Sequence, residues 1–105
     1  VTSVSLGLEI PTVFSLEQNY PNPFNPKTTI KYGLPTESNV KIEVYNMLGQ
    51  KVSELVNEVQ SAHYYETIWD ATNVSSGLYL FKIEATDIND SANKFTSVKK
   101  MVLLK

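Results

Sequence analysis

Between Ile30 and Val44 apolar side chains return at every second position. Ile30, Tyr32 and Leu34 alternate with Lys31 and Gly33, and Val40, Ile42 and Val44 alternate with Lys41, Glu43 and Tyr45. Such a period sends one set of side chains to one face of an extended strand, which a helix at ~3.6 residues per turn cannot do. Pro35-Thr-Glu-Ser-Asn39 separates the two runs and is made of turn formers, so the pair reads as an antiparallel hairpin with one buried face. Asn46-Met-Leu-Gly49 turns the chain again, with Gly49 able to take a positive φ.

The pattern continues downstream. His63 to Asp70 places Tyr65, Thr67 and Trp69 on one face and Tyr64, Glu66 and Ile68 on the other. Asn73-Val-Ser-Ser-Gly77 is turn-rich. Leu78 to Ala85 is almost continuously apolar, broken by Lys82 and Glu84, and reads as a central strand. A polar loop over 87–93 leads to a last strand, Phe95 to Leu104. Residues 50–60 are ambiguous: Val52, Leu55, Val56 and Val59 fit helical spacing, but the β context favours a strand carrying a bulge. The sum is an all-β chain, an immunoglobulin-like antiparallel β-sandwich of about seven strands, without the cysteine pair of antibody domains.

One segment falls outside this pattern. Tyr20-Pro-Asn-Pro-Phe-Asn-Pro26 carries three prolines, which remove three backbone donors, fix three φ angles and push each preceding residue extended. It is a stiff loop, with the Asn22 and Asn25 amides able to bond nearby backbone. Residues 1–12 show no clear period and read as a linker or the end of a preceding region, leaving 13–105 as the domain. The start lacks Met and a basic-then-apolar leader, so it is expected to be an internal or processed end.

Composition excludes more than it suggests. Nine lysines against eleven acidic residues give a net charge of −2, without the basic footprint of a nucleic-acid binder. The absence of cysteine removes disulfides, thiolate chemistry and Cys-ligated zinc. No apolar run approaches the ~20 residues that span a bilayer as a helix. His63 is the only histidine, placed at a strand start where exposure is expected, and no nucleophile and orienting group are in evidence around it. Asp87, Asn89 and Asp90 offer oxygen ligands, but without the glycine and distal glutamate of a calcium loop they read as a solvated turn. Asn73-Val-Ser75 and Asn89-Asp-Ser91 match the glycan acceptor pattern and are read as turns. No catalytic, metal or cofactor site is expected, and no small-molecule substrate.

Specific strings carry a resemblance. Phe14-Ser-Leu-Glu-Gln-Asn-Tyr-Pro-Asn-Pro-Phe-Asn-Pro26 followed by Thr28-Thr-Ile30, then Val44-Tyr-Asn-Met-Leu-Gly49, Trp69-Asp70, Ser76-Gly-Leu-Tyr79 and Lys100-Met-Val-Leu-Leu-Lys105, together resemble the type IX secretion C-terminal sorting domain. The resemblance implies an immunoglobulin-like sandwich at the C-terminus of a cargo protein. It also implies passage through the periplasm and then across the outer membrane to the cell surface or medium, with outer-membrane secretion and sortase proteins as partners. Within it, Asn22, Pro23, Asn25 and Pro26 are candidates for a docking surface or, equally, for a cap on one end of the sandwich. Lys99, Lys100 and Lys105 are candidates for contact with a partner by charge or edge pairing. Gly49, Trp69, Asp70, Gly77 and Tyr79 are expected to be structural: the glycines for backbone geometry, Trp69 in the core, Asp70 accepting donors from the following turn. Two other classes stay open, a carbohydrate-binding module stacking sugars on Tyr64, Tyr65 and Trp69, and an assembly domain resembling flagellar hook-capping proteins.

Overall fold

A computed structural model describes residues 10–105; most of the expected linker, 1–9, lies outside the described residues. Seven strands are present among them: β1 (Ser15–Leu16), β2 (Lys27–Leu34), β3 (Ser38–Asn46), β4 (Lys51–Gln60), β5 (His63–Asp70), β6 (Gly77–Asp87) and β7 (Lys94–Leu103). They form two antiparallel sheets, ordered β1-β2-β5 and β4-β3-β6-β7. This is the two-layer sandwich that the alternation requires, because each sheet has one apolar face to bury.

The core lies where the period placed it. Ile30, Tyr32 and Leu34 of β2 meet Val40, Ile42 and Val44 of β3 and Phe81, Ile83 and Ala85 of β6, all at most 2% exposed. Met101 and Leu103 of β7 complete it. β6 is interior, flanked by β3 and β7, as its apolar density implied. The ambiguous stretch is strand β4: its pairing with β3 shifts register between Ile42 and Glu43 and between Val44 and Tyr45, so irregularities in the ladder explain why strict alternation fails there. Its helical spacing lost to tertiary pairing, which local pattern cannot see.

The β3–β4 turn is made by its own residues. Asn46 Oδ1 accepts from the backbone N–H of Leu48 (2.9 Å) and Gln50 (3.0 Å), and Gly49 closes the turn at φ 82°. Gly33 has a different reason: a Cβ there would sit 2.9 Å from Ser15 Oγ and 3.1 Å from Pro11 Cγ, so β1 and buried Pro11 press directly on β2. The Tyr32 phenol is buried beneath this layer and donates to Gln60 Oε1 at 2.7 Å, tying one sheet to the other; burial pushes its pKa up to about 12.

Phe81 is fully buried at the centre of β6, so Phe81→Ala should cost about 3–5 kcal/mol. Equilibrium urea unfolding checks this, as a drop in midpoint at unchanged slope.

Candidate functional site

The proline segment does not stand apart from the sandwich. From Phe14 to Phe24 the chain travels alongside β7, in the same direction, and closes the seam between the sheets on that side. Phe14 stacks on Phe95 with ring centroids 5.6 Å apart. Further on, Gln18 Nε2 donates to Lys100 O at 2.7 Å. Asn22 Oδ1 accepts from Val102 N–H at 2.9 Å. Phe24 then bridges to Leu103 in parallel sense, its N–H donating to Val102 O (2.9 Å) and its C=O accepting from Leu104 N–H (3.0 Å). Thus the two regions singled out in the sequence, 80 residues apart at Asn22 and Val102, are one unit.

The loop is held from beneath as well as from the side. Asn19, 2% exposed, donates through Nδ2 to Thr28 Oγ1 (2.9 Å) and Pro21 O (3.2 Å), and Thr28, 1% exposed, donates to the same carbonyl (2.9 Å). A buried polar cluster with its bonds made is a rigid one. Phe24 points inward against Trp69 (centroids 5.7 Å), and Trp69 meets Tyr79 nearly edge-on at 5.3 Å and 71°. This aromatic row runs from the loop through β5 to β6 and so spans both sheets. The bonds Tyr20–Pro21, Asn22–Pro23 and Asn25–Pro26 are cis.

Each residue expected to matter can now be placed. Trp69 is core, and Tyr79 is buried with its hydroxyl donating to Ser75 O at 2.6 Å. Asp70 accepts from the Thr72 hydroxyl and from Thr72 N–H (3.0 Å), as expected of a turn-capping carboxylate; those two bonds hold its pKa below the ordinary value. Gly77 sits at φ 151° at the start of β6. Pro23 and Asn25 are exposed, and Pro26 is half-buried, its carbonyl accepting from Ala71 N–H at 2.8 Å. Asn22, also exposed as a residue, spends its amide oxygen on β7. Lys99 and Lys100 are neighbours in sequence only: alternation sends Lys100 out to solvent, while the half-buried Lys99 lies on the side of Met101. Lys105 is a clasp: Nζ donates to the carbonyls of Thr72 (2.7 Å) and Val74, and its N–H to Ser76 Oγ (2.9 Å).

Three expectations need correction or narrowing. Tyr64, Tyr65 and Trp69 do not form a stacking platform, because Tyr64 points outward whereas Trp69 is 4% exposed and Tyr65 stacks on Tyr32 at 5.5 Å. His63 is half-buried with its ring edge-on to Tyr65, less exposed than its strand-start position suggested. Edge pairing by β7 is blocked around Val102, where the backbone is already engaged by Asn22 and Phe24. The sequence reading missed Gln18, Asn19, Phe24 and Thr28 as fasteners. Their signal was available in outline, since polar residues beside a proline run are natural partners for its carbonyls, but which partner each takes depends on β7.

A small two-sheet sandwich whose most distinctive residues fasten a proline-rich loop to β7 is, as a class, an antiparallel β-sandwich of immunoglobulin-like architecture. A family model described as the secretion system C-terminal sorting domain matches residues 18–103, so the chain belongs to that family, the sorting domains of type IX secretion. No curated protein matches. Among solved structures, CopC from Methylosinus trichosporium OB3b is similar, with a TM-score of 0.57 and 13% identity over 87% of this chain and 93% of that one; the likeness is one of fold.

Two outcomes follow from the geometry. Asn22→Ala should cost roughly 1 kcal/mol by freeing Val102 N–H, a fall of several degrees in melting temperature, whereas Asn25→Ala should leave melting unchanged. Asp87 is likewise held below the ordinary carboxylate pKa by Asn89 N–H and the Asn93 amide. A depressed native pKa stabilises the fold above the unfolded value, about 3.9, and that contribution is lost as pH falls through the native value. Asp87→Asn should therefore flatten the loss of stability below about pH 4, measured by thermal melts across pH.

Proposed function

We infer that the chain acts as its family does, as a C-terminal sorting signal that carries an attached protein to the cell surface or out of the cell. We propose that it does so by binding outer-membrane transport and sortase proteins, after passage of the cargo through the periplasm, and that the surface they grip is the motif loop together with β7. The observation that carries this reading is the bonding of Gln18, Asn22 and Phe24 along Lys100 to Leu104. It makes a composite face from the chain's two most distinctive segments and fixes it before any partner arrives. A face already ordered loses little entropy on docking.

Within that face the roles divide. Pro23, Asn25, Pro26 and Lys100 offer the contact surface, with Lys99 at its flank. Asn22 and Lys105 hold it in shape from inside, which gives the capping and docking readings of the loop different residues. The cargo is joined at the N-terminal side, residues 13–105 act as the signal, and the domain works by being held, with no reaction of its own.

The test is export. The full chain, fused behind a periplasmic reporter in a host with this secretion system, should bring the reporter to the cell surface. Asn25→Ala, and Lys99→Glu combined with Lys100→Glu, should leave a folded domain that is exported poorly. Undiminished export by both folded variants would remove this face from recognition.

A further inference from the structure

The two long sides of the sandwich differ in a way that export signalling through the loop and β7 does not use. On the β7 side the seam is covered by residues 14–24. On the other side lie β4 and β5, and among the described residues neither has a strand on its outer edge. β4 carries the usual protections of a free edge, register shifts and charged side chains. β5 carries few of them. It pairs with β2 in unbroken register from His63 to Asp70, without bulge, proline, glycine or lysine.

Its open hydrogen-bonding groups can be named. Thr29 exchanges both backbone bonds with Tyr20, so odd-numbered residues of β2 face that way and even-numbered ones face β5. Ile30 opposes Thr67, and Tyr32 opposes Tyr65; Tyr64, Glu66 and Ile68 therefore direct N–H and C=O away from the sheet. Beside them the side chains of Tyr64 and Ile68 are 51% and 61% exposed, an apolar shelf for a neighbouring strand's outward residues.

Charge says what kind of strand fits. Glu66 and Asp70 lie on β5, and Glu54 and Glu58 on the adjoining β4, where Glu58 is close enough to Tyr32 to disfavour its phenolate. Lys51 on β4 is already within 3.6 Å of both Glu43 and Glu54. Lys31 and Lys27 stand opposite Glu66 and Asp70 one strand in from the edge, yet Glu66 has no ion-pair partner within 4 Å among the described residues and remains open to a cation from the outer side. A second copy meeting this edge through the same edge would set acidic margin against acidic margin. We propose that the β5 edge is a strand-addition site for an extended, lysine- or arginine-bearing segment of a partner protein, separate from the loop–β7 face.

The full chain can be titrated with an N-acetylated, C-amidated peptide of about eight residues, the length of a typical strand, alternating lysine with valine, and with its glutamate counterpart. Amide shifts and hydrogen exchange are read residue by residue. The lysine peptide should protect the amides of Tyr64, Glu66 and Ile68 and bind at least about fivefold more tightly than the glutamate peptide. Ile68→Pro removes an outward N–H and no ladder bond, and should abolish that protection. Ile68→Lys, at an exposed side chain, should weaken binding about fivefold and serves if the proline variant unfolds. Three results would each overturn the proposal: no protection at these amides with saturating lysine peptide, equal affinity for the two peptides, or a free chain that sediments as a dimer with the three amides already protected.

Discussion

Phe24 is the constraint on which the rest of this domain depends. It is the one residue of the proline segment driven fully inward, 2% exposed against Trp69, while its backbone is paired on both sides of Leu103. The same residue therefore anchors the loop in the core and completes the hydrogen bonding of a strand edge. Burying a phenylalanine contributes roughly 1.5–3 kcal/mol, enough to hold in place a loop whose neighbours Pro23 and Asn25 remain in water. Core packing and surface shape are joined at this point, which is how a sandwich without disulfides can present a rigid loop.

The fastening also explains the division of polar residues at this end of the molecule. Asn19 and Thr28 are buried because the Pro21 carbonyl needs donors that proline-rich backbone cannot supply. Gln18 reaches two ways, to Asn19 and to Lys100 O, and so connects the buried cluster with the β7 seam. Lys105 performs a similar task beyond β7 through carbonyls of the β5–β6 connection. Side chains that look like a charged or polar surface in sequence are in large part internal ties.

Strand identity and core were legible because β2, β3 and β5 bury one face each. A period of two then shows directly in Ile30, Tyr32 and Leu34, or in Val40, Ile42 and Val44. β4 was less legible because its ladder irregularities break the period, and nothing local announces which strand it will pair with. The turn at Asn46–Gly49 was readable from its residue types alone. For the candidate site the reach was shorter. The distinctiveness of the proline segment and the last strand was visible, but their union was not, since it rests on contacts between residues some 80 positions apart. Lys99 and Lys100 stood together as one basic pair in sequence although alternation alone sends them to opposite faces, whereas the capture of Lys105 by Thr72 and Val74 could not be foreseen from any pattern near it.

The distance in sequence between the loop and its strand has a consequence for when the domain becomes whole. Contacts between distant residues form only after the intervening chain has been brought together. A nascent polypeptide that stops short of β7 has no Met101 or Leu103 to fill the core and no backbone against which Asn22 and Phe24 can settle. The shaped loop thus exists only once β7 has been synthesised and has joined its sheet, so the order of the chain makes this surface one of the last features of the domain to form.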